Sequence, residues 1–250
     1  MRRLRTAGAR RDGAATTPLR NARVSVVIPA LNEEATIAGV VRAVPRDVAH
    51  EVIVVDNDSS DETFVRAREA GARVVRETRR GYGSACHAGV RALAPDTQVV
   101  VFLDGDGSDY PEQLWKLVEP IVRGTHDFVI SSRLRGERER GSMYFTQVFA
   151  GRMIGVMLRA LYGVRYTDMG PFRAVRRDAL ESLGMREMTY GWPLEMQMRA
   201  ARAGLRILEV PVAYRRRAGG ASKISGTLAG TFRAATRILA TLARVAMERT

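Results

Sequence analysis

The chain has a single cysteine, Cys86, in 250 residues. No internal disulfide is open to it, and a lone free cysteine is ordinarily a small buried apolar residue rather than a nucleophile. That usage suits a reducing compartment. No uninterrupted apolar run reaches the length of about 18–20 residues that a membrane span needs. The most apolar candidate, Val148 to Val164, is broken by Arg152 and Arg159. Arginines near the amino terminus have no apolar segment behind them, so no secretory signal is expected. His50, His87 and His126 are too scattered to form a metal site by spacing. Aromatic residues make up only 6% of the chain, and no stacking motif of the RNA-reading kind is present. Lysine is nearly absent too, with Lys116 and Lys223 beside 38 arginines. Genomic base composition produces imbalances of this kind, so arginine number alone carries little functional weight.

Hydrophobic residues account for 46% of the chain, as in a globular protein rather than a disordered one. The formal charge of +13 is unevenly placed. Residues 1–23 contribute +6 and residues 215–250 contribute +7, whereas the 191 residues between them balance at 25 basic against 25 acidic. A neutral body with basic ends suits an anionic surface, such as phospholipid headgroups, or a phosphorylated substrate. It does not suit a basic stripe across a nucleic-acid-binding fold. Three segments follow: a disordered basic arm over 1–22, a catalytic domain over 23–214, and a basic loop with a C-terminal amphipathic helix over 215–250.

Within the body, short apolar runs alternate with helical patterns. Strands are expected at Val24–Ile28, Glu51–Val55, Ala72–Arg76, Gln98–Leu103 and Asp127–Ile130. Helices are expected from Glu33 to Ala43, capped by Asn32, and then before Gly71, before Leu93, after Pro111 and from Tyr144 to Tyr162. The stretch Arg133 to Arg140 reads as a mobile loop. This order predicts an α/β fold, a mostly parallel twisted sheet with helices on both faces. The C-terminal helix, from Ser225 to Glu248, carries an apolar stripe of Leu228, Phe232, Ala235, Leu239, Leu242 and Ala246. That stripe suits either a headgroup surface or packing against protein.

In parallel sheets of this kind, ligands bind beyond the carboxyl ends of the strands. Those ends carry Pro29, Asp56 and Asp104. Asp104-Gly105-Asp106 follows a fully apolar strand, and two carboxylates separated by one small residue can hold Mg²⁺ or Mn²⁺ through oxygen. A cation there would offset charge growing on a departing diphosphate. Asp109 adds a third acid, suited to the metal shell or to capping the helix near Pro111.

With these residues in order, the chain resembles an inverting family 2 glycosyltransferase of the GT-A fold, and among these the polyprenol-phosphate (dolichol-phosphate) mannosyl- and glucosyltransferases. The resemblance runs through Val27-Ile28-Pro29-Ala30-Leu31-Asn32-Glu33-Glu34, Val54 to Thr63, Arg80-Gly81-Tyr82-Gly83-Ser84-Ala85 and the Asp104–Asp106 motif. It continues through Ser131-Ser132-Arg133, Thr167 to Arg173 and Ser222 to Thr227. It implies a single GT-A-like domain that transfers a hexose from a GDP- or UDP-linked sugar to a polyprenyl phosphate. It places Pro29, Glu33, Asp56, Gly81 and Gly83 around the donor, with Arg173 and Lys223 beside them. Asp104 and Asp106 would hold the metal, Arg133 the acceptor phosphate, and Glu195 the position of a base.

Two departures stand out. Gly107-Ser108-Asp109 replaces a glutamine common after the metal motif, and the C-terminal spans of many relatives have no counterpart. Arg173 can alternatively pair with Asp168. The expected setting is cytoplasmic, at the inner face of the plasma membrane if peripheral, with no nucleic acid as partner. Two other readings stand beside this one: the same donor chemistry on a soluble hydroxyl acceptor with Glu195 as base, and a non-enzymatic binder of anionic surfaces or nucleic acid.

Overall fold

In the computed structural model, which describes residues 19, 21–219 and 228–248, the apolar runs become a seven-stranded sheet. Its strands are β1 (Val24–Ala30), β2 (Glu51–Asp56), β3 (Arg73–Arg76), β4 (Val99–Phe102), β5 (Phe128–Ser132), β6 (Arg173–Arg176) and β7 (Ile207–Pro211). Their order across the sheet is β3-β2-β1-β4-β6-β5-β7. All run parallel except β6, which lies antiparallel between β4 and β5. The helices are α1 (Ile37–Ala43), α2 (Thr63–Glu69), α3 (Tyr82–Arg91), α4 (Leu114–Val122), α5 (Phe145–Tyr162), α6 (Arg177–Ser182), α7 (Trp192–Arg202) and α8 (Leu228–Met247).

The central strands are apolar on both faces because both faces are covered. Val26 and Ile28 of β1 join Val54 and Val101 in a core with Ile37 and Val41 of α1 and Leu114 and Leu117 of α4. Val27, Ile53 and Phe102 point the other way, onto Ala85 and Cys86 of α3, Leu158 of α5, Trp192 of α7 and Val245 of α8. Cys86 is fully buried there, as its composition suggested.

Several expectations need correction. Leu19, assigned to the disordered arm, is buried in the first of these cores. Asn32 does not cap a helix: it adopts φ 51° and its Oδ1 accepts from the backbone of Ser60, while α1 begins only at Ile37. The Arg133–Arg140 stretch is not loose. Glu139 N donates to Tyr214 O at 2.9 Å and Tyr214 N to Glu137 O at 2.9 Å, pairing the stretch with the chain beyond β7. Of the two settings expected for the C-terminal helix, packing against protein is present: it packs on α7, with Thr241 and Val245 buried.

Candidate active site

The carboxyl ends of β2, β1 and β4 form one rim. Ala30 lies opposite Asp56 in the β1–β2 register, one step beyond Pro29 opposite Val55. Chain leaving β4 reaches Asp104 after Leu103. Asp56 and Asp106 therefore share an edge, with β1 between their strands. Asp56 is 4% exposed and accepts from Ser59 N at 3.3 Å. Glu33, also buried, lies where the loops after β1 and β2 are tied together. Asn32 N donates to Ser59 Oγ and Glu33 N to Thr63 Oγ1. These bonds satisfy backbone groups that the turns would otherwise leave orphaned.

The Asp-Gly-Asp loop holds a buried carboxylate that lacks a partner on one oxygen, Asp104 Oδ1. Burial first, then the neighbouring Asp106 charge, lifts the Asp104 carboxyl from 3.8 to about 7, against a hydrogen bond from Tyr82. A divalent ion would satisfy the orphan oxygen and replace that repulsion with attraction. Among the described residues, no three His, Cys, Asp or Glu side chains converge on one point. Asp104 and Asp106 alone would be a donor set suited to Mg²⁺ or Mn²⁺ shared with substrate phosphates and water. Asp109 stands apart from that pair. Both its oxygens are buried and unpartnered, and burial, reinforced by Asp104, pushes its carboxyl well above the usual range.

Arg133 is held in a fixed direction by Asp168. Its Nε and Nη2 each reach Asp168 at 2.7 Å, and its backbone N donates to the same carboxylate at 3.0 Å. Tyr214 lies under the guanidinium, 5.0 Å from ring centre to Cζ. Burial works against the charge, but Asp168 holds Arg133 above its ordinary value. Its Nη1 has no partner among the described residues, so one edge of the fork stays open.

Other expected residues act differently. Arg173 does not pair with Asp168; it is 1% exposed and donates to the carbonyls of Gly170 and Pro193. A guanidinium that packs β6 in this way is a structural strut rather than a donor contact. Gly81 and Gly83 do permit a close approach, but to the chain itself: a Cβ on either would collide with the backbone carbonyls of Met188 and Glu187. Their absence lets the start of α3 abut that segment and set Tyr82 beside Asp104. Glu195 is fully buried and accepts from Arg186 N, Glu187 N, Arg199 Nε and Arg244 Nη1. With all its acceptor directions filled, its carboxylate is not placed as a base. Lys223 lies outside the described residues.

Tyr82 and Arg217 also border the Asp-Gly-Asp loop. Arg217 bridges Glu33 at 2.9 Å and Asp106 at 3.0 Å. The sequence expectation for Arg215–Arg217, with Lys223 and Gly219-Gly220, is a flexible basic loop able to close over a diphosphate or to meet lipid headgroups.

The family model described as glycosyl transferase family 2 matches residues 25–184, the span that builds this rim. The chain belongs to glycosyltransferase family 2. An uncharacterised glycosyltransferase of Mycobacterium tuberculosis is 41% identical over 210 residues, covering 83% of this chain and 92% of that protein. An undecaprenyl-phosphate mannosyltransferase of Micrococcus luteus is 35% identical over 227 residues, covering 83% and 90%. Among solved structures, glucosyl-3-phosphoglycerate synthase of M. tuberculosis with Mn²⁺, UDP-glucose and phosphoglyceric acid superposes with a TM-score of 0.75. It is 26% identical and covers 95% of this chain and 83% of that one. The family 2 fold is thus the GT-A fold, as the sequence motifs implied. It makes the chain a glycosyltransferase, and in that solved neighbour the fold works with a divalent cation and a nucleotide sugar.

Proposed function

We propose that this family 2 enzyme transfers a hexose from a GDP- or UDP-linked sugar to a polyprenyl phosphate, using Mg²⁺ or Mn²⁺ held by Asp104 and Asp106. The ion supplies Lewis acidity for the departing diphosphate. Pro29, Glu33 and Asp56 form the rim suited to the nucleoside, with Asp56 the polar group for base or ribose. The open edge of Arg133 receives the acceptor phosphate. A phosphate oxygen attacks the anomeric carbon as the bond to the diphosphate breaks, with inversion. The acceptor is already an anion near neutrality, so no proton need be removed.

The observation that carries this reading is a contrast between two side chains. Arg133 offers a guanidinium edge oriented by Asp168, while Glu195, the one candidate base, is closed off by N–H donors. That favours phosphate over a hydroxyl as nucleophile.

The lipid character of the acceptor rests on α5. Its inner face places Gly155 against the Tyr166 carbonyl and Gly151 near Thr167, two residues that lead into Asp168. Its outer face carries Phe145, 82% exposed, with Phe149, Met153, Val156 and the exposed Arg152 and Arg159. Phe145 and Phe149 stack at 6.4 Å. An apolar and basic surface beside the acceptor arginine suits a lipid-linked phosphate at an anionic bilayer. The Micrococcus relative's name agrees. No helix among the described residues is long and apolar enough to cross a membrane, so this contact would be peripheral.

A second reading, transfer to a soluble phosphorylated acid, is favoured by the phosphoglyceric acid bound in the solved neighbour. One experiment separates them. Purified protein is given labelled GDP-mannose or UDP-glucose with undecaprenyl phosphate or 3-phosphoglycerate, with Mn²⁺ or EDTA. Label entering the organic phase only with Mn²⁺ is expected; label confined to the aqueous product would end the lipid reading.

A further inference from the structure

We propose that Arg217 is an internal counter-cation that neutralises Asp106 until a nucleoside diphosphate draws it away, so that metal and donor bind as a coupled pair. The proposal rests on the reading of Asp104 and Asp106 as the metal carboxylates.

Both oxygens of Asp106 are already taken. Oδ1 accepts from Ser108 N at 2.9 Å and from Ser108 Oγ at 2.5 Å, and Oδ2 carries Arg217 Nη2 at 3.0 Å. A metal ligand bond needs about 2.0–2.1 Å for Mg²⁺, and a dication at that distance would lie against the guanidinium. Arg217 must leave before Asp106 can serve. Its other nitrogen, Nη1, holds Glu33 at 2.9 Å. The side chain therefore spans from the rim suited to the nucleoside to the metal loop, the path a diphosphate would follow between them.

The residues around Arg217 are arranged to present it. Arg215 N donates to Ser108 O at 3.0 Å, Arg215 Nε to Gly107 O at 2.6 Å, and Ala218 N to Asp106 O at 3.2 Å. Arg215 also lies over Tyr110, 4.6 Å from the ring centre. These bonds lash 215–218 across the Asp-Gly-Asp loop as a strap, with the Arg217 guanidinium inward. Once freed, the same planar fork matches diphosphate oxygens. Metal alone must displace the guanidinium without compensation. Metal with a diphosphate gives it a new anion, so each ligand strengthens the other by the same factor.

The test uses the full chain and calorimetric titration with Mn²⁺ alone, then with UDP or GDP at saturating Mn²⁺. Arg217→Gln should bind Mn²⁺ alone about tenfold tighter than the parent, a change of about 1.4 kcal/mol. It should bind the nucleotide about tenfold weaker. Arg217→Lys, which keeps the charge, should remain close to the parent towards Mn²⁺. Opposite signs for the two ligands are the signature, since a strap that had merely lost its fold would weaken both. Arg217→Gln binding Mn²⁺ no tighter than the parent overturns the proposal. Asp106→Asn retaining full Mn²⁺ affinity would instead overturn the assignment of the metal carboxylates beneath it.

Discussion

At the scale of single residues, the site joins an open guanidinium to an acid that fixes its direction. Asp168 is 2% exposed, and its carboxylate accepts twice from the Arg133 side chain and once from its backbone. Removing one charge from so buried a pair leaves the other uncompensated, at a cost of about 3–5 kcal/mol. Asp168→Asn should therefore lower the melting temperature. It should also raise the KM for the phosphate acceptor more than that for the donor, because the fork that meets phosphate is no longer held. Equal changes in both KM values would remove Arg133 from acceptor binding. Asp104→Asn should behave differently. It removes a carboxylate that burial and Asp106 already disfavour, so the metal-free protein should melt no lower than the parent while turnover falls at least about a hundredfold. A metal-dependent turnover close to the parent's would show that Asp104 is not a ligand. The placing of Asp104, Asp106 and Arg133 at the rim was legible in the sequence because each lies within four residues of the end of a buried strand. Glu195 and Arg173 were misread because burial and partners from distant segments, not local pattern, decide what a charged side chain does.

Among the elements, α8 is fastened to the body by Glu187 in the segment after α6. Glu187 accepts from Thr189 Oγ1 at 2.6 Å and from Thr241 Oγ1 of α8 at 3.0 Å, with Arg244 of α8 at 3.2 Å. The carbonyls of Glu187 and Met188 are the groups that Gly81 and Gly83 accommodate, so this segment also seats the start of α3 and with it Tyr82. Glu187→Gln should destabilise the protein by about 1–3 kcal/mol, the range for a hydrogen-bonded charge losing its partners. Hydrogen exchange should quicken in α8 and at the start of α3 together; exchange confined to α8 would show that the two are uncoupled.

The other end of the sheet is tied by Asp127, which reaches Arg206 before β7 at 2.8 Å and Arg176 of β6 at 2.7 Å. Arg206 first, with Arg176 adding to it, holds the Asp127 carboxyl down to about 2 from 3.8. A depressed pKa stabilises the fold above the unfolded value and is lost as pH falls from about 4 to about 2. Asp127→Asn should thus cost about 1 kcal/mol at pH 6, since both arginines are half exposed and screened. Its melting curve should converge with the parent's near pH 2. A deficit independent of pH would mean that Asp127 acts through packing.

These elements also mark the limit of sequence reading. Strands β1, β2, β4 and β5 are largely apolar and buried on both faces, and their pattern follows from their place in the sheet. β6 begins and ends with arginine, and β7 is only partly buried. Neither carries the period of a strand, because each is specified by the partner it pairs with rather than by its own composition.

For the whole molecule, the proposed lipid acceptor raises the question of how a neutral body with basic ends would meet a bilayer. The charge excess of residues 1–23 and 215–250 brackets a body balanced at 25 against 25, while the one large apolar patch among the described residues lies on α5, with two arginines of its own. The two contributions to membrane binding are then separable. Basic residues near an anionic surface contribute about 1 kcal/mol each, within a screening length that shrinks from about 10 Å at 0.1 M salt to about 3 Å at 1 M. Apolar side chains entering the interface contribute about 25 cal/mol for each Å² buried, and salt does not screen that term. Sedimentation with vesicles of mixed phosphatidylglycerol and phosphatidylcholine should show affinity falling steeply with salt to a plateau, not to zero. Phe145→Ser with Phe149→Ser should lower the plateau and leave the salt-dependent slope unchanged, since both rings are exposed and their loss opens no cavity. Arg152→Gln with Arg159→Gln should reduce the slope and spare the plateau. If the aromatic pair leaves the plateau untouched, α5 faces something other than lipid, and the acceptor reading loses the surface that gives it its lipid character.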